Sequence, residues 1–544
     1  MYCFGGMELK VLKFLLALII MVVSFFSINY FLLIGIRFDN PAFWLLLISI
    51  AGIGTIIMSI IEYIWKKKYF GTLVCVSFAA IGLIVLTFGS IASMKIFHIN
   101  GYRSQIEINE NGQFEKDIPL INSDIPIVDV ETARILGERT MGTLESYVSQ
   151  FKINQEYNLI MYNGKQYRIS PLEYGGFFKY NTNKKNGIPG YILVDVITQE
   201  AKFVKLDNGM KYSQSAFFGN NLNRYIRMKY PSSMFEKIHF EIDESGVPYY
   251  IVPMGENKII FGGYIVENVL IVNAITGECN VYDLDKLPEW VDHVYSLDYL
   301  MNKIDNKLSL VNGIFNFSQK GVKKTSYSYS DEYFEGYNTI VTASGEIGFF
   351  TGITSASSDE SNLGFIIANC KTGNVTYYTC PGAEEASAQS SAQGLVQQYG
   401  YTASYPIIIN VNGNETYFMT LKDSGRIVKK YALVNVRNYS IAVEADSIDE
   451  VISKYNKRLQ NDPSYSSNSG KESEKTDIIL DIKTAIIDGY TYYYISFNND
   501  SNIYMSSITN SNLQVKLKIG DKIKIKYHDS SEIGVMTVTN ISIQ

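Results

Sequence analysis

Three unbroken apolar runs open the chain, and no run of comparable length follows them. They extend from Phe14 to Ile36, from Ala42 to Ile61 and from Tyr69 to Met94. Each is long enough to cross ~30 Å of hydrocarbon as a helix, which takes about 20 residues. Residues 1–96 are therefore predicted to form a three-helix transmembrane anchor. The first run is too long for a signal-peptide core, and no small-residue cleavage site follows it. Lys10 and Lys13 precede the first run, and Lys66, Lys67 and Lys68 separate the second from the third, whereas only Arg37 lies between the first two. The positive-inside rule then predicts a multi-pass protein of the cell membrane with a cytoplasmic N-terminus. Three crossings leave an extracytoplasmic remainder of roughly 450 residues, about three domain lengths. Tyr30, Trp44, Tyr63, Trp65 and Tyr69 stand near run ends, where amphipathic rings favour the interface. Glu62 is expected at the cytoplasmic interface beside Lys66.

Beyond a connector (97–128) the pattern shortens and repeats. YILVDVITQEAKFV from Tyr191, VLIVNAITGECNVY from Val269 and GFIIANCKTGNVTYY from Gly364 share an apolar run, Asp or Asn, two residues, Thr, then Gly or Gln. The matching positions are Asp195, Thr198 and Gln199; Asn273, Thr276 and Gly277; and Asn369, Thr372 and Gly373. A fourth copy, YALVNVRNYSIAV, places Asn435 in the first slot and Asn438 in the Thr slot. Val- and Ile-rich runs around an Asx–Gly turn predict β-hairpins. Gln199 lacks the freedom of Gly, so its turn is expected to differ in type or to be strained. An earlier hairpin precedes each copy, at Asn163-Gly164, Ser245-Gly246, Ser344-Gly345 and Asn412-Gly413. Helical spacing precedes each hairpin pair: residues 129–149 with Asp129 as N-cap; Phe218, Leu222, Tyr225 and Ile226; Trp290, Val294, Leu297 and Met301, opening at Pro288; and residues 383–399. The chain thus reads as α+β, with four tandem units of a helix and about four antiparallel strands over 129–445. Unequal spacing between copies argues against a propeller or a strict solenoid.

The ending V-x-V-(D/N)-x-x-T-G-E, best seen in VLIVNAITGECNVY, resembles the PepSY module. NGIPGYILVDVITQEA, GAEEASAQSSAQG and TYFMTLKDSG also look like a group of membrane-anchored proteins of Gram-positive bacteria. The first resemblance implies binding or inhibition, directed at a protease or peptide, rather than catalysis.

Residues 446–475 read as a helix, with Ser447 and Glu450 in a capping box, followed by a Ser-rich linker. From 476 to 544 about five strands suit a small all-β barrel, OB-like or SH3-like. Lys516, Lys518, Lys522, Lys524 and Lys526 gather in one region, either a basic face for anionic polymer or lipid, or a solvated edge.

Composition narrows the chemistry. The net charge of −6 argues against nucleic acid as partner. Five Cys, of which Cys279, Cys370 and Cys380 lie downstream of the anchor, give no disulfide framework, although a Cys370–Cys380 bridge is within reach. The four His stand in no metal-binding pair; His239, Glu241 and Asp243 alternate along one strand, which reads as a half-exposed face before a metal site. No catalytic residue, metal ligand or cofactor motif is assigned. The acids Asp359, Glu384 and Glu385, with Ser361 and Asn362 of the polar loop 351–362, are the candidate binding residues. The sequence favours a membrane-anchored binding or regulatory protein with a protein or peptide partner outside the cell. An envelope-assembly scaffold on wall polymer or lipid, and an enzyme with an unfamiliar site, are the alternatives. No pattern specifies an oligomeric state.

Overall fold

A computed structural model describes residues 4–65, 68–118, 125–329, 334–356, 362–460, 473–487, 490–498, 500–507, 512–529 and 534–543. The three apolar runs are helices, Phe4–Leu32, Pro41–Ile64 and Phe70–Ala92, each long and apolar enough to cross a membrane. The second begins on a capping residue: Asn40 Oδ1 accepts the Ala42 amide at 3.0 Å, and Pro41 supplies a preset φ. Glu62, near the other end of that helix, turns onto the start of the third. Its carboxylate accepts the Gly71 amide (2.6 Å), the Thr72 amide (3.2 Å) and the Thr72 hydroxyl (2.6 Å). An acid at a helix N-terminus satisfies amides that have no helical partner. Lys66 and Lys67 lie outside the described residues.

Outside the anchor, one strand plan recurs four times. In the first unit a long strand, Lys165–Tyr174, pairs with two short pieces, Phe151–Ile153 and Asn158–Tyr162, then with Ile188–Asp195, which pairs with Ala201–Met210. The second unit repeats this with Met234–Phe235 and His239–Ile242 against Pro248–Ile259, then Gly262–Asn273 and Cys279–Asp283. The third uses Lys323–Thr325 and Asn338–Val341 against Ile347–Ser355, then Asn362–Asn369 and Val375–Gly382. The fourth uses Thr402–Ala403 and Ile407–Val411 against Asn414–Lys422, then Val428–Asn435 and Ala442–Ala445. A helix precedes each sheet: Val130–Gly142, Leu222–Lys229, Leu297–Ser309 and Glu385–Leu395.

The second hairpin of every unit closes in the same way. Oδ1 of Asp195, Asn273, Asn369 and Asn435 accepts the amides two and three residues on, at 2.8–3.0 Å. In three copies the Thr hydroxyl (Thr198, Thr276, Thr372) accepts the amide two residues beyond it; Asn438 Oδ1 accepts Ser440 N in the fourth. Gly277 and Gly373 occupy the left-handed region with φ of 76° and 73°, and Gln199 adopts the same conformation at 62°. The first copy thus keeps the turn type and accepts the strain. The fourth turn is one residue longer, with the Asn435 amide bonded to Ile441 O where its counterparts reach the fifth residue on.

The residue after each Asx carries a second repeated device. Its amide bonds the long strand: Val196 to Gln166 O, Ala274 to Pro248 O, Cys370 to Ile347 O and Val436 to Glu415 O, at 2.9–3.3 Å. Its carbonyl accepts amides from the segment entering the unit: Ile127, Lys211 with Tyr212, Val294 with Tyr295, and Ala383, at 2.7–3.0 Å. Lys211 and Ala383 directly follow the last strands of the first and third units, so the same bond fixes each to its successor. All four residues are buried, and one continuous apolar core runs through the four units.

Further contacts close the series. Asn158 Nδ2 donates to Phe240 O (3.2 Å, first to second), Lys303 Nζ to Tyr264 O (2.6 Å, third to second) and Asn338 Nδ2 to Tyr405 O (2.9 Å, third to fourth). Lys422 of the fourth unit pairs with Asp129 of the first. The second unit also rests on the anchor. Arg37 bridges Asp39 and Glu256 (both 2.7 Å), Arg227 Nε donates to Leu33 O (2.8 Å) and the Phe261 amide to Ser93 Oγ (2.9 Å).

Some expected boundaries move. The third helix opens at Leu297, capped by Ser296 Oγ on the Tyr299 amide (3.1 Å), rather than at Pro288. The Val294 and Tyr295 amides are committed to Cys370 O and cannot enter a helix. The first helix stops at Gly142, short of 149, with a separate turn Glu145–Val148. The connector is no plain tether: Ile108–Asn109 adds a parallel strand to Val375–Thr376 of the third unit. Helix Ile448–Gln460 packs on the fourth unit, where the buried Tyr455 hydroxyl meets Thr416 Oγ1 (2.9 Å) and Asn435 Nδ2 (3.0 Å). Five strands from Ser473 onward close into a barrel around Ile479, Ile495, Phe497, Ile523 and Ile525.

Gln199 holds a left-handed conformation that costs a side-chain-bearing residue about 1–2 kcal/mol, and the extra freedom Gly gives the unfolded chain offsets about 0.4–1 kcal/mol of that, so Gln199→Gly should stabilise the protein by up to about 1 kcal/mol. The reverse change at an equivalent turn, Gly373→Gln, should destabilise it by a comparable amount. Denaturant midpoints of the detergent-solubilised chain measure both.

Candidate functional site

Where the fourth unit returns to the first, the units leave a polar cleft of about 780 Å³. The first unit supplies the start of its helix: Asp129 accepts the Thr132 amide at 2.9 Å as N-cap, and Glu131 follows. The fourth supplies Lys422, at the end of its long strand, and Arg426, in the next turn. Lys422 is buried against Asp129 and lies 3.5 Å from Glu131, which also meets Arg426 at 3.3 Å. Burial would raise the Asp129 carboxyl, but the Lys422 ammonium and the Thr132 amide outweigh it and hold Asp129 below the usual carboxylate range. This side of the cleft is therefore a set of compensated charges.

The opposite side is built from helix Glu385–Leu395 and an insertion of the third unit. Residues 326–337 lie between the two short pieces of that unit's first strand, and Ser326, Tyr327, Ser328, Gly336 and Tyr337 line the cleft. Glu384 is the N-cap residue of the helix, and Gln389 donates to the carbonyls of Ala403 (3.3 Å) and Ser404 (3.1 Å). Glu385 turns inward and is only 3% exposed. Its Oε2 accepts from Ser326 Oγ at 3.2 Å, and Tyr417 OH lies 3.5 Å from Oε1. Gly352 makes room for it, since a Cβ at that position would collide with the carboxylate. Burial pushes the Glu385 carboxyl up from 4.5 to about 7. Burial and the neighbouring Glu385 also raise the Tyr405 and Tyr417 hydroxyls well above 10. The cleft floor thus holds an acid that changes charge near neutrality among phenols that remain protonated.

Of the residues singled out in the sequence, Glu384 and Glu385 line this cleft. Asn362 stands behind its wall, 4% exposed, and is not presented to solvent. Its Nδ2 donates to Ala383 O (2.9 Å) and Tyr417 OH (3.1 Å), and its Oδ1 accepts the Gly364 amide (2.9 Å). It positions the phenol that faces Glu385. Asp359 and Ser361 lie outside the described residues. Sequence reasoning passed over Lys422, Arg426, Gln389 and Tyr405, and marked Asp129 only as a helix cap. Nearly three hundred positions separate Asp129 from Lys422 (|i−j| = 293), so no local spacing announces them.

A second buried cluster is a joint. Both oxygens of Glu241 accept backbone amides, Asp292 at 2.8 Å and His293 at 2.7 Å, and His293 Nδ1 lies 3.1 Å away. Asp292 in turn accepts the Met161 amide of the first unit at 2.7 Å. Burial and the adjacent Glu241 push Asp292 up to about 7. Burial lowers His293, and contact with Cys370 and the Glu241 carboxylate raises it, the net direction being upward, which favours a charged ring beside Glu241. His239 is held neutral by burial and by His293. The face His239–Glu241–Asp243 does not converge on a common point: Asp243 closes its own turn on the amides of Ser245 and Val247, both at 2.9 Å. His239 and Glu241 are buried, not half-exposed, whereas Asp243 is half-buried. Cys370 and Cys380 are free thiols. On the barrel, Lys524 and Lys526 are bridged to Glu474 at 2.7 and 3.6 Å, which reduces the free basic character of that face.

Comparison of the sequence with protein-family models and with curated proteins gives no match.

The raised Glu385 carboxyl makes a signed prediction. A group whose folded pKa exceeds its unfolded value supports the fold fully below the unfolded pKa. That support is lost as pH rises from 4.5 to about 7. Glu385→Gln should remove this loss, worth about 3 kcal/mol at 1.4 kcal/mol per unit. Asp292 titrates in an overlapping window, so the readout is the difference between wild type and variant. Melting temperatures of the two chains should diverge, with the variant more stable, as pH rises from 5 to 8.

Proposed function

We propose that this chain is a membrane-anchored binding protein whose four units face the extracytoplasmic side and hold a peptide segment of a partner protein in the cleft around Glu385. One observation carries the reading: three separate units converge on a half-open polar cavity whose size falls within the range of small-ligand sites. Its floor is an acid that offers a proton or a lone pair near neutral pH. The ion pairs on the other side are already compensated within the protein, so a ligand need not neutralise them. Exposed backbone amides, lysines or hydroxyls of an extended peptide suit such a lining.

The topology is supported by charge. The second unit rests on the loop between the first two spans and on the end of the third, the face opposite the lysine triplet. Positive-inside asymmetry supports an extracytoplasmic position for that face. The PepSY-like reading of the units rests on the turn motif in the second copy and on the recurrence of helix before sheet. For the terminal barrel, the strand order first-second-third-fifth-fourth, with the third and fifth strands parallel, favours an OB-like over an SH3-like assignment.

Full-length chain in detergent, probed with a random peptide library, tests the binding reading. Ala386 is exposed on the cleft rim, and Ala386→Trp would fill the entrance without touching the core. Peptides should bind the wild type, and the variant should weaken them by about tenfold or more, equivalent to 1.4 kcal/mol. No peptide ligand, or binding indifferent to Ala386→Trp, contradicts the proposal.

A further inference from the structure

Two groups of exposed aromatic side chains stand beside the outer ends of the membrane spans. In the first, helix Phe177–Asn183 and the turn Phe218–Asn220 bring Phe177, Phe178 and Phe218 together. The Phe177 ring lies 5.8 Å from Phe178 and 6.1 Å from Phe218, centroid to centroid. Phe178 is 83% exposed. Phe218 holds a φ of 53°, a left-handed conformation that is costly for a bulky residue, and it leaves the ring outside the core. In the second group, Phe315 and Phe317 stand 6.2 Å apart next to Ile314, and Phe317 is 87% exposed. Soluble surfaces seldom present clustered aromatic rings without a partner.

The first group is tied to the anchor, and the second lies beside the short helix that follows the third span, where Arg103 Nε donates to Lys307 O at 3.4 Å. The Phe218 carbonyl accepts Arg224 Nη1 at 3.0 Å, and Arg224 Nε donates to the Tyr30 carbonyl, near the outer end of the first span, at 3.2 Å. The same guanidinium lies 4.3 Å from the centre of the Tyr30 ring. Gly313, at the base of the second group, packs towards Ile99, which opens the short helix Ile99–Arg103 beyond the third span. Rings held next to a span end, as Phe218 is through Arg224 and Tyr30, are near the headgroup–acyl boundary of a bilayer, the depth that aromatic side chains favour. Lys184 and Lys185 follow Phe178 in the chain and Lys320 follows Phe317, so each group has a basic residue within a few positions that could meet lipid phosphate.

We infer that these two aromatic groups insert into the outer leaflet of the same bilayer that holds the spans, so that the first three units lie on the membrane surface. The occupant is lipid: the patches are continuous with the transmembrane interface, and one strained residue points a ring towards it. A body held at three places, the spans and two aromatic groups, keeps a fixed orientation and does not swing on a tether.

Depth-dependent quenching tests this in full-length protein reconstituted into nanodiscs of phosphatidylcholine and phosphatidylglycerol. An environment-sensitive fluorescent amino acid is placed at Phe178, at Phe317, or at Tyr439, an exposed residue on a turn of the fourth unit. The substituted positions are on the surface, so the fold is preserved. Nitroxide lipids labelled near the headgroup should quench positions 178 and 317 several-fold more than position 439, and aqueous iodide should quench them several-fold less. Iodide quenching at 178 or 317 equal to that at 439 overturns the inference.

Discussion

A single peptide unit, used four times, orders the four repeated units. The residue after each turn Asx gives its amide to the long strand of its sheet and its carbonyl to the segment that enters the unit. Neither group could be left without a partner, because Val196, Ala274, Cys370 and Val436 are buried, and an unpaired buried polar group costs about 1–3 kcal/mol. The side chain in that slot must be small and apolar. This explains Cys370, which occupies the place of a valine or alanine and needs no redox role. The incoming strand end is thereby held before the helix begins, and each helix falls on a defined side of its sheet.

That constraint propagates to the cleft. Fixing Ala383 on Val436 O sets the start of the fourth helix immediately afterwards, and so aims Glu385 at Gly352 of the preceding unit. Fixing Ile127 on Val196 O does the same for Asp129, which then meets Lys422. The site is therefore a consequence of where consecutive units are pinned. The third unit alone carries a long insertion between the two pieces of its first strand, and this insertion provides the wall that the other units lack. A repeated scaffold with one local departure is a simple way to create one site from four equivalent frames.

The anchor and the hairpins were legible because their signals are local. Apolar runs of span length need no tertiary context. Asn163-Gly164 and Asn412-Gly413 spell turns whose two residues both have positive φ, at 51° and 72° and at 51° and 83°. The Asx–Thr–Gly pattern was visible as a turn, but its second role, placing a buried carbonyl for the segment that enters the same unit, was not, since that partner lies about fifty to seventy-five residues earlier in the chain. The third helix was misplaced for the same reason: residues 288–296 have helical spacing, yet the amides of Asp292 and His293 are taken by Glu241 and those of Val294 and Tyr295 by the Cys370 carbonyl. Glu385 was noticed as an acid beside Glu384. Its burial against Gly352 depends on a strand thirty positions earlier and could not be read from composition. Asn362 was taken for a recognition residue because its loop is polar, whereas the amide is consumed within the wall.

Amide hydrogen exchange on the full-length chain tests the central device most directly. The amides of Ile127, Lys211, Tyr212, Val294, Tyr295 and Ala383 belong to no regular strand or helix, and an ordinary connector would exchange them quickly. The account predicts that they exchange as slowly as the central strands of their own sheets. Exchange at the rate of an exposed amide that makes no hydrogen bond would contradict it.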